Sequence, residues 1–245
     1  MRLFFRLIQR RRLTKTSDRL VLVLVGLPAR GKSFISRKLL HYVNWTGVRC
    51  KAFNVGKYRR EAYAQVQASE SADKDLSSSA GACDANFFSA ENEQAAALRQ
   101  RVAQIALDDM LAWLDDEEEE YWDESPVIDV SRHSCAGSVT SRNTRHHAVY
   151  QKVAIFDATN STEKRRQWVL EQCTSPQKRG DKKTGVVFVE SLCTDEELLQ
   201  ENYRFKVSNS PDYKDMTLEE GMEDLLKRVR NYEAQVRLIR LPESC

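Results

Sequence analysis

The most constraining feature of the chain is a glycine-rich loop set between an apolar run and an amphipathic segment. Residues 20–25 read LVLVLV, an unbroken apolar run that is typical of a parallel strand buried on both faces. The loop GLPARGKS follows at 26–33, and after it Ile35, Leu39 and Tyr42 repeat at helical spacing. The order of strand, loop and helix predicts a parallel sheet covered by helices.

Further strands and helices alternate along the rest of the chain. Apolar stretches at 50–55, 153–156 and 186–192 are typical of buried strands, and a helix is predicted over 92–114. We therefore predict a three-layer α/β fold of the P-loop nucleoside-triphosphate-hydrolase type, with a mostly parallel sheet and helices on both faces. Later helices are predicted to begin at the capping pairs Asn160–Glu163, Thr194–Glu197 and Thr217–Glu220. The predicted core positions of helix 92–114 are Leu98, Val102, Ile105, Leu111 and Leu114.

The domain organisation follows from changes in composition. Residues 1–19 form a basic arm that is predicted to be disordered, with an organelle-targeting peptide as the alternative. Residues 20–236 are predicted to form one α/β domain that contains the glycine-rich loop, followed by a C-terminal tail over 237–245. Three stretches within the domain are interpreted as insertions: a Ser/Ala-rich one near 66–86, an acidic one near 115–150 that holds His133, His146 and His147, and a basic one near 174–184.

Charge and cysteine usage exclude several classes of protein. The chain has 38 basic and 36 acidic residues, a balance that argues against a dedicated nucleic-acid-binding protein. No apolar run reaches the roughly 18 residues that a membrane span needs. We expect a soluble, cytoplasmic protein without a nucleic-acid or membrane partner, and a homodimer stays open. The six cysteines form no C-x-x-C pair and are interpreted as free thiols: Cys50, Cys83, Cys135, Cys173, Cys193 and Cys245.

The glycine-rich loop fits the phosphate-binding pattern G-x-x-x-x-G-K-[ST] at every position. Its backbone N–H groups can cradle phosphates, Lys32 can neutralise them, and the Ser33 hydroxyl can ligate Mg²⁺. Asp157 ends a later apolar strand, where it is expected to hold Mg²⁺ and to orient or deprotonate an acceptor hydroxyl. ATP and Mg²⁺ are the predicted cofactors, and the absence of an N-K-x-D guanine motif favours a kinase over a GTPase switch. The loop residues are Gly26, Leu27, Pro28, Ala29, Arg30, Gly31, Lys32 and Ser33.

A second anionic substrate would need cations of its own. Arginine is suited to this because its planar guanidinium grips a phosphate through two hydrogen bonds. Arg228 and Tyr232 lie four residues apart, so they share one helical face. The other candidate cations are Arg59, Arg60, Arg99, Arg165 and Arg166.

The chain resembles the kinase domain of the 6-phosphofructo-2-kinase/fructose-2,6-bisphosphatase family. The matching strings are GLPARGKSFIS, FNVGKYRREA, FDATNST, VFVESLC, NSPDY and EDLLKRVRNYE, in family order from about residue 20 to 235. The resemblance implies transfer of the γ-phosphoryl group of ATP to the 2-hydroxyl of fructose 6-phosphate, in fructose metabolism and the regulation of glycolysis.

The resemblance also implies a role for individual residues. Asp157 and Lys32 would be catalytic, and Cys193 matches a cysteine associated with the kinase site, although we do not interpret it as a nucleophile. ATP would contact the loop through Phe34, together with Asn202 and Lys206. Fructose 6-phosphate would be surrounded by Arg59, Arg99, Thr159, Arg165, Arg228 and Tyr232.

The chain departs from the family pattern in two places. The motif N-x-R-x-x-K would put a lysine at 207, whereas this chain has Val207 and places Lys206 one step earlier. The string Arg132-His133-Ser134 lacks the glycine of the family's R-H-G phosphatase motif, so we expect a kinase alone or a fragment of a longer protein. Two alternatives stay open: another P-loop small-molecule or polynucleotide kinase, and a nucleotide-binding regulatory protein without turnover.

Overall fold

The computed structural model of the protein describes residues 5–8, 19–70, 85–89, 92–116 and 152–235, which build a sheet covered by helices. Strands β2, β3, β4 and β5 are mutually parallel, and β1 pairs with β5 in the antiparallel sense. This arrangement confirms the predicted α/β fold with a mostly parallel sheet. In spatial order the strands are β1 (Phe5–Ile8), β5 (Thr184–Ser191), β2 (Arg19–Val25), β4 (Lys152–Asp157) and β3 (Arg49–Asn54).

The described residues also form seven α-helices and two 3₁₀ helices. No α-helix among them is long and apolar enough to cross a lipid bilayer. The α-helices are α1 (Lys32–Trp45), α2 (Val55–Glu70), α3 (Glu93–Asp115), α4 (Glu163–Thr174), α5 (Pro176–Arg179), α6 (Glu196–Asn209) and α7 (Leu218–Glu233), and the 3₁₀ helices are Ala85–Phe88 and Pro211–Tyr213.

The two faces of the sheet are buried by different helices. Alternate residues of β2 point to opposite faces, as the pleat of a strand requires. Val21 and Val23 pack with Leu107 of α3 and Val169 of α4, whereas Leu24 packs on the other side against α1. The apolar run that predicted this strand therefore serves two cores at once.

The buried face of α3 differs from the predicted one. Val102 and Leu114 are buried as predicted, but the assignment of Leu98 and Ile105 to the core is wrong, because these side chains are 37% and 44% exposed. Three of the buried side chains of α3 are alanines, and a pattern built on large aliphatic residues overlooks them. Leu111 packs against the core while partly buried. The other buried residues of α3 are Ala95, Ala103, Ala106, Leu107 and Met110.

Two of the three predicted helix caps are also wrong. The capping box of α7 is present, but α4 and α6 are capped by Thr162 and Asp195 rather than by Asn160 and Thr194. The Asn160 side chain instead donates to the carbonyl of Leu24 at 2.8 Å. It therefore ties the loop after β4 to the end of β2.

Regions that were expected to be irregular contain regular structure. β1 lies inside the predicted disordered arm 1–19 and covers the edge of β5, whose backbone groups would otherwise stay unpaired. Helix α2 continues to Glu70, into the predicted insertion 66–86, and α5 lies within 174–184. The remainder of the first two predicted insertions, including all three histidines named there, and the tail 237–245 lie outside the described residues.

Candidate active site

A large cavity opens where the parallel strands end. Strands β2, β3, β4 and β5 point their carboxyl ends to the same edge of the sheet, and the loops that follow them surround a cavity of about 2140 Å³. A site for one small ligand typically occupies about 300–1000 Å³. The cavity is therefore large enough for two ligands side by side.

The glycine loop forms one wall of this cavity. Residues 28–34 line it, whereas Gly26 and Leu27 lie behind them. Gly26 has φ +140°, and a Cβ there would lie 2.6 Å from the carbonyl oxygen of Ser191. The Gly26 N–H also donates to the carbonyl of Thr159 at 3.0 Å. Only glycine fits this position, because both the backbone angle and the contact exclude a side chain.

The side chain of Arg30 connects the loop to the helices opposite. It donates to the hydroxyl of Tyr203 on α6 at 2.8 Å and lies 3.7 Å from the carboxylate of Glu233 on α7. The guanidinium also lies 5.6 Å from the centre of the Tyr203 ring. The loop is thereby connected to α6 and α7, each of which carries other predicted site residues.

Lys32 lies in the loop with its charge poorly solvated. Its Nζ donates to the carbonyl of Leu27 at 2.6 Å. Burial, followed by the nearby cations Lys206 and Arg228, lowers the pKa of Lys32 to about 7, while Asp157 opposes this shift. A polyphosphate placed here would supply a negative counter-charge and so stabilise the protonated form of Lys32.

Asp157 brings the strand ends and the loop together. Its Oδ2 accepts hydrogen bonds from the Ser33 hydroxyl at 2.8 Å and from the Asn54 amide at 2.6 Å. Asn54 and Asp157 are register partners at the ends of β3 and β4, so the sheet itself sets their separation. A hydroxyl beside a carboxylate, next to a phosphate-binding loop, suits Mg²⁺, which prefers oxygen donors and few protein ligands.

The structure brings the predicted substrate arginines to the same cavity as the loop. Thr159 and Tyr232 line this cavity as well. Arg166 does not take part, because its guanidinium donates to the carbonyls of Asn160 and Ser161 in the loop before α4. The arginines that line the cavity are Arg59, Arg60, Arg99, Arg165 and Arg228, together with Arg30 of the loop.

Three of these arginines share a carboxylate that sequence reasoning missed. Asp212 Oδ2 lies 2.5 Å from Arg59 and 3.4 Å from Arg228, and Oδ1 lies 3.4 Å from Arg60. Burial alone would raise the pKa of Asp212, but the three guanidinium groups outweigh burial and lower it. The family string NSPDY contains this aspartate, and that string was the signal available in the sequence.

The other two arginines have no carboxylate partner among the described residues. Arg99 donates to the backbone carbonyls of Phe87 and Ser89, and Arg165 donates to the side-chain oxygen of Gln100. Burial lowers the pKa of Arg165 to about 10 and also lowers that of Arg99. Arg99 and Arg165 therefore leave the positive charge on this side of the cavity unneutralised.

The shifted lysine on α6 faces the cavity. Val207 is buried against Leu225 and other residues of α7, which turns the preceding Lys206 toward the loop. Asn202 lies one helical turn before Lys206 on the same wall. Burial and the Arg228 cation lower the pKa of Lys206 to about 8.

Cys193 and Phe34 lie at the margin of the cavity. Cys193 is a half-buried free thiol whose Sγ is 3.9 Å from the carbonyl of Asp195. Phe34 is exposed, and the ammonium group of Lys38 lies 5.5 Å from the centre of its ring. Both residues line the cavity, and a contact between Cys193 and a ligand would not require a reaction of its thiol.

Comparison with known proteins identifies the family. The family model described as 6-phosphofructo-2-kinase matches residues 9–121 and 147–243, which is more than half of the chain. The chain belongs to the 6-phosphofructo-2-kinase family. This confirms the resemblance found in the sequence. The part of the chain between the two matched ranges lies outside the described residues.

Three curated members of the 6-phosphofructo-2-kinase family illustrate the similarity. A probable 6-phosphofructo-2-kinase from Schizosaccharomyces pombe is 36% identical over 216 residues, covering 88% of this chain and 24% of the relative. A 6-phosphofructo-2-kinase/fructose-2,6-bisphosphatase from Arabidopsis thaliana is 34% identical, covering 89% of the chain and 22% of the relative. The 6-phosphofructo-2-kinase/fructose-2,6-bisphosphatase 3 from Homo sapiens is 35% identical, covering 94% of the chain and 34% of the relative. The chain thus spans between 22% and 34% of the length of these relatives.

Proposed function

We propose that the chain transfers the γ-phosphoryl group of ATP to the 2-hydroxyl of fructose 6-phosphate, giving fructose 2,6-bisphosphate. One observation carries the proposal: a phosphate loop and a second set of guanidinium groups line one cavity. A nucleotide needs only the loop, so the additional arginines imply a second anionic ligand. The names of the relatives supply the identity of that ligand.

The nucleotide half of the site consists of the loop and α6. The loop amides and Lys32 would hold the phosphates, and Asn202 and Lys206 would contact the nucleotide from α6. Ser33 and Asp157 would hold Mg²⁺, which would neutralise charge on the β- and γ-phosphate oxygens. The pKa values of Lys32 and Lys206 are lowered mainly by burial, which disfavours the charged form. Bound anionic phosphates would oppose this effect and stabilise the charged form of both lysines.

The acceptor half consists of the arginines. We assign the 6-phosphate to Arg99 and Arg165, because these cations have no carboxylate partner among the described residues and are desolvated. Tyr232 lies near both and would donate its hydroxyl to the same group. Arg59 and Arg228, already paired with Asp212, and the hydroxyl of Thr159 would contact the sugar.

The chemical step needs little beyond positioning and charge stabilisation. The 2-oxygen of the sugar attacks the γ-phosphorus, the bond to the β-phosphate oxygen breaks, and ADP leaves. Asp157 would orient the 2-hydroxyl and accept its proton, and Lys32 would stabilise the charge that spreads over the transferred group. Cys193 would contact a ligand without forming a covalent intermediate.

The proposal is tested by measuring ADP release with fructose 6-phosphate and with a panel of other sugar phosphates. We expect activity with fructose 6-phosphate and an acid-labile product, because a phosphate on the anomeric 2-oxygen of fructose hydrolyses readily in acid. Lys32→Ala should abolish turnover with the fold retained, and Lys51→Ala, which removes an exposed lysine of β3, should not. An acid-stable product, or full activity in Lys32→Ala, would contradict the mechanism.

Domain bounds and location complete the proposal. Residues 20–236 would form the kinase domain. A cytoplasmic location is supported by the free thiols of Cys50, Cys173 and Cys193, since such thiols persist in a reducing compartment.

A further inference from the structure

Two aromatic rings lie behind the substrate arginines. The 3₁₀ helix Ala85–Phe88, which we call the aromatic shelf, carries Phe87 and Phe88, and Phe88 lines the cavity. Both rings are buried, and they meet edge to face with their centres 5.0 Å apart. The Phe88 ring also lies 5.9 Å from that of Tyr232, so the shelf continues into a predicted substrate residue.

The shelf faces cations rather than the main apolar core. The guanidinium carbon of Arg228 lies 3.6 Å from the centre of the Phe88 ring, and that of Arg59 lies 5.3 Å from it. Arg99 lies 5.6 Å from the centre of Phe87. These distances are within the range of cation–π attraction, which strengthens when the pair is shielded from water. Three of the four arginines predicted to bind substrate therefore rest on two rings.

The shelf is held from both sides. From α7, Asp224 accepts from the Ala85 N–H at 2.6 Å and Asn231 donates to the Ala85 carbonyl at 2.9 Å. From α3, Arg99 donates to the carbonyls of Phe87 and Ser89. Side chains of two helices fix the shelf backbone, so the rings present a rigid surface to the guanidinium groups.

Asp212 forms ion pairs with two of the same guanidinium groups. Its carboxylate contacts Arg59 and Arg228, whose guanidinium carbons lie 5.3 and 3.6 Å from the centre of the Phe88 ring. A ring face holds a guanidinium flat without occupying its N–H donors, whereas a carboxylate occupies them. Both arginines already contact Asp212, and without the ring they could turn further toward it and lose donors that a substrate needs.

We propose that Phe88 is a positioning residue that holds Arg228 and Arg59 in the orientation that binds the sugar phosphate. This inference rests on the proposed function, because it concerns the acceptor half of the same cavity. Phe88 acts through the arginines and does not touch the reacting atoms. Its effect therefore falls on the affinity for the acceptor and leaves nucleotide binding unchanged.

The test compares Phe88→Leu, which keeps an apolar side chain but removes the ring face, with Phe88→Trp, which keeps a ring face. We expect Phe88→Leu to raise the KM and the calorimetric Kd for fructose 6-phosphate roughly 3- to 30-fold, with kcat and the Kd for ATP within about twofold. Phe88→Trp should restore most of the affinity. Phe188→Leu is the matched control, since it removes a buried ring from the main core. It should lower thermal stability without this selective loss of acceptor affinity.

The possible results distinguish a failure of the role of Phe88 from a failure of the proposed function. An unchanged KM and Kd for fructose 6-phosphate in Phe88→Leu would overturn the inference and leave the proposed function standing. Equal weakening of ATP and fructose 6-phosphate, with no recovery in Phe88→Trp, would assign Phe88 a merely structural role and would also overturn it. Absence of both binding and turnover in the wild-type chain would overturn the proposed function and this inference together.

Discussion

Gly221 of α7 lies directly against Val207 of α6, so closely that a Cβ built on Gly221 would be 2.6 Å from Val207 Cγ1. The two helices can approach because one of them has no side chain at the contact. This approach fixes the rotation of α6 about its axis. Val207 therefore faces the small core between α6 and α7, and Lys206 faces the cavity.

Gly221→Val should destabilise the protein by overpacking. Glycine and valine differ by only a few tenths of a kcal/mol in helix propensity, so the expected loss of about 2–3 kcal/mol in the free energy of unfolding comes from the contact. Urea denaturation measures it. Adding Val207→Ala makes room for the new side chain, and the double variant should be more stable than the sum of the single losses predicts. Simple additivity would argue against the contact.

ATP affinity should fall as the pH rises. The pKa of Lys32 is about 7 without nucleotide, and bound phosphates raise the pKa of an ammonium group. ATP binding therefore takes up a proton at neutral pH, and affinity should drop on the order of tenfold between about pH 6.5 and 8.5. Calorimetry in buffers of different ionisation enthalpy measures the proton uptake. Lys32→Arg should lose most of the uptake. A remaining part that disappears in Lys206→Gln would belong to Lys206, whose pKa is about 8.

Removing the charge of Asp212 should be costly. Asp212→Asn leaves buried arginines without their counter-charge, which typically costs about 3–5 kcal/mol of stability. Because the folded-state pKa of Asp212 is lowered, its stabilising effect is complete near neutral pH and is lost as the pH falls through that pKa. The stability gap between the wild type and the variant should therefore close in acid. Asp215→Asn, at an exposed position three residues later, should stay within about 0.5 kcal/mol. A gap that is independent of pH would contradict this account.

Asn54 should matter for turnover more than for binding. Its amide orients the Asp157 carboxylate, and loss of such a supporting hydrogen bond commonly costs about 10- to 100-fold in activity or metal affinity. We expect Asn54→Ala to lower kcat and to raise the Mg²⁺ concentration needed, with the KM for fructose 6-phosphate little changed. Asn44→Ala is the control, because that amide bonds only the backbone of Cys50. An unchanged magnesium requirement in Asn54→Ala would contradict the role.

The sequence predicted the central strands well because a strand buried on both faces appears as an uninterrupted apolar run. It predicted the loop because all eight residues that form it are consecutive. The buried face of α3 was misjudged because part of it consists of alanine rather than of large aliphatic residues. β1 was missed because its strand character depends on pairing with a distant edge, which no local pattern records.

The unpredicted members of the candidate site share one property. Each acts through a partner far along the chain: Arg59 and Asp212 are separated by 153 positions, and Asn54 and Asp157 by 103. Periodicity and motif spacing operate over one or two helical turns and cannot report such pairs. The residue types alone, an acid among arginines and an amide ending a strand, were the visible signals.

The carboxylate of Asp212 has a consequence for how an acceptor enters. The three guanidinium groups that share the Asp212 carboxylate are partly neutralised before a ligand binds, so they attract fewer counter-ions from the solution. The sugar of an arriving fructose 6-phosphate would share Arg59 and Arg228 with that internal anion, and fewer salt ions would be released than the total number of arginines implies. Binding at this wall should therefore depend on ionic strength less steeply than at an equally basic but unpaired surface.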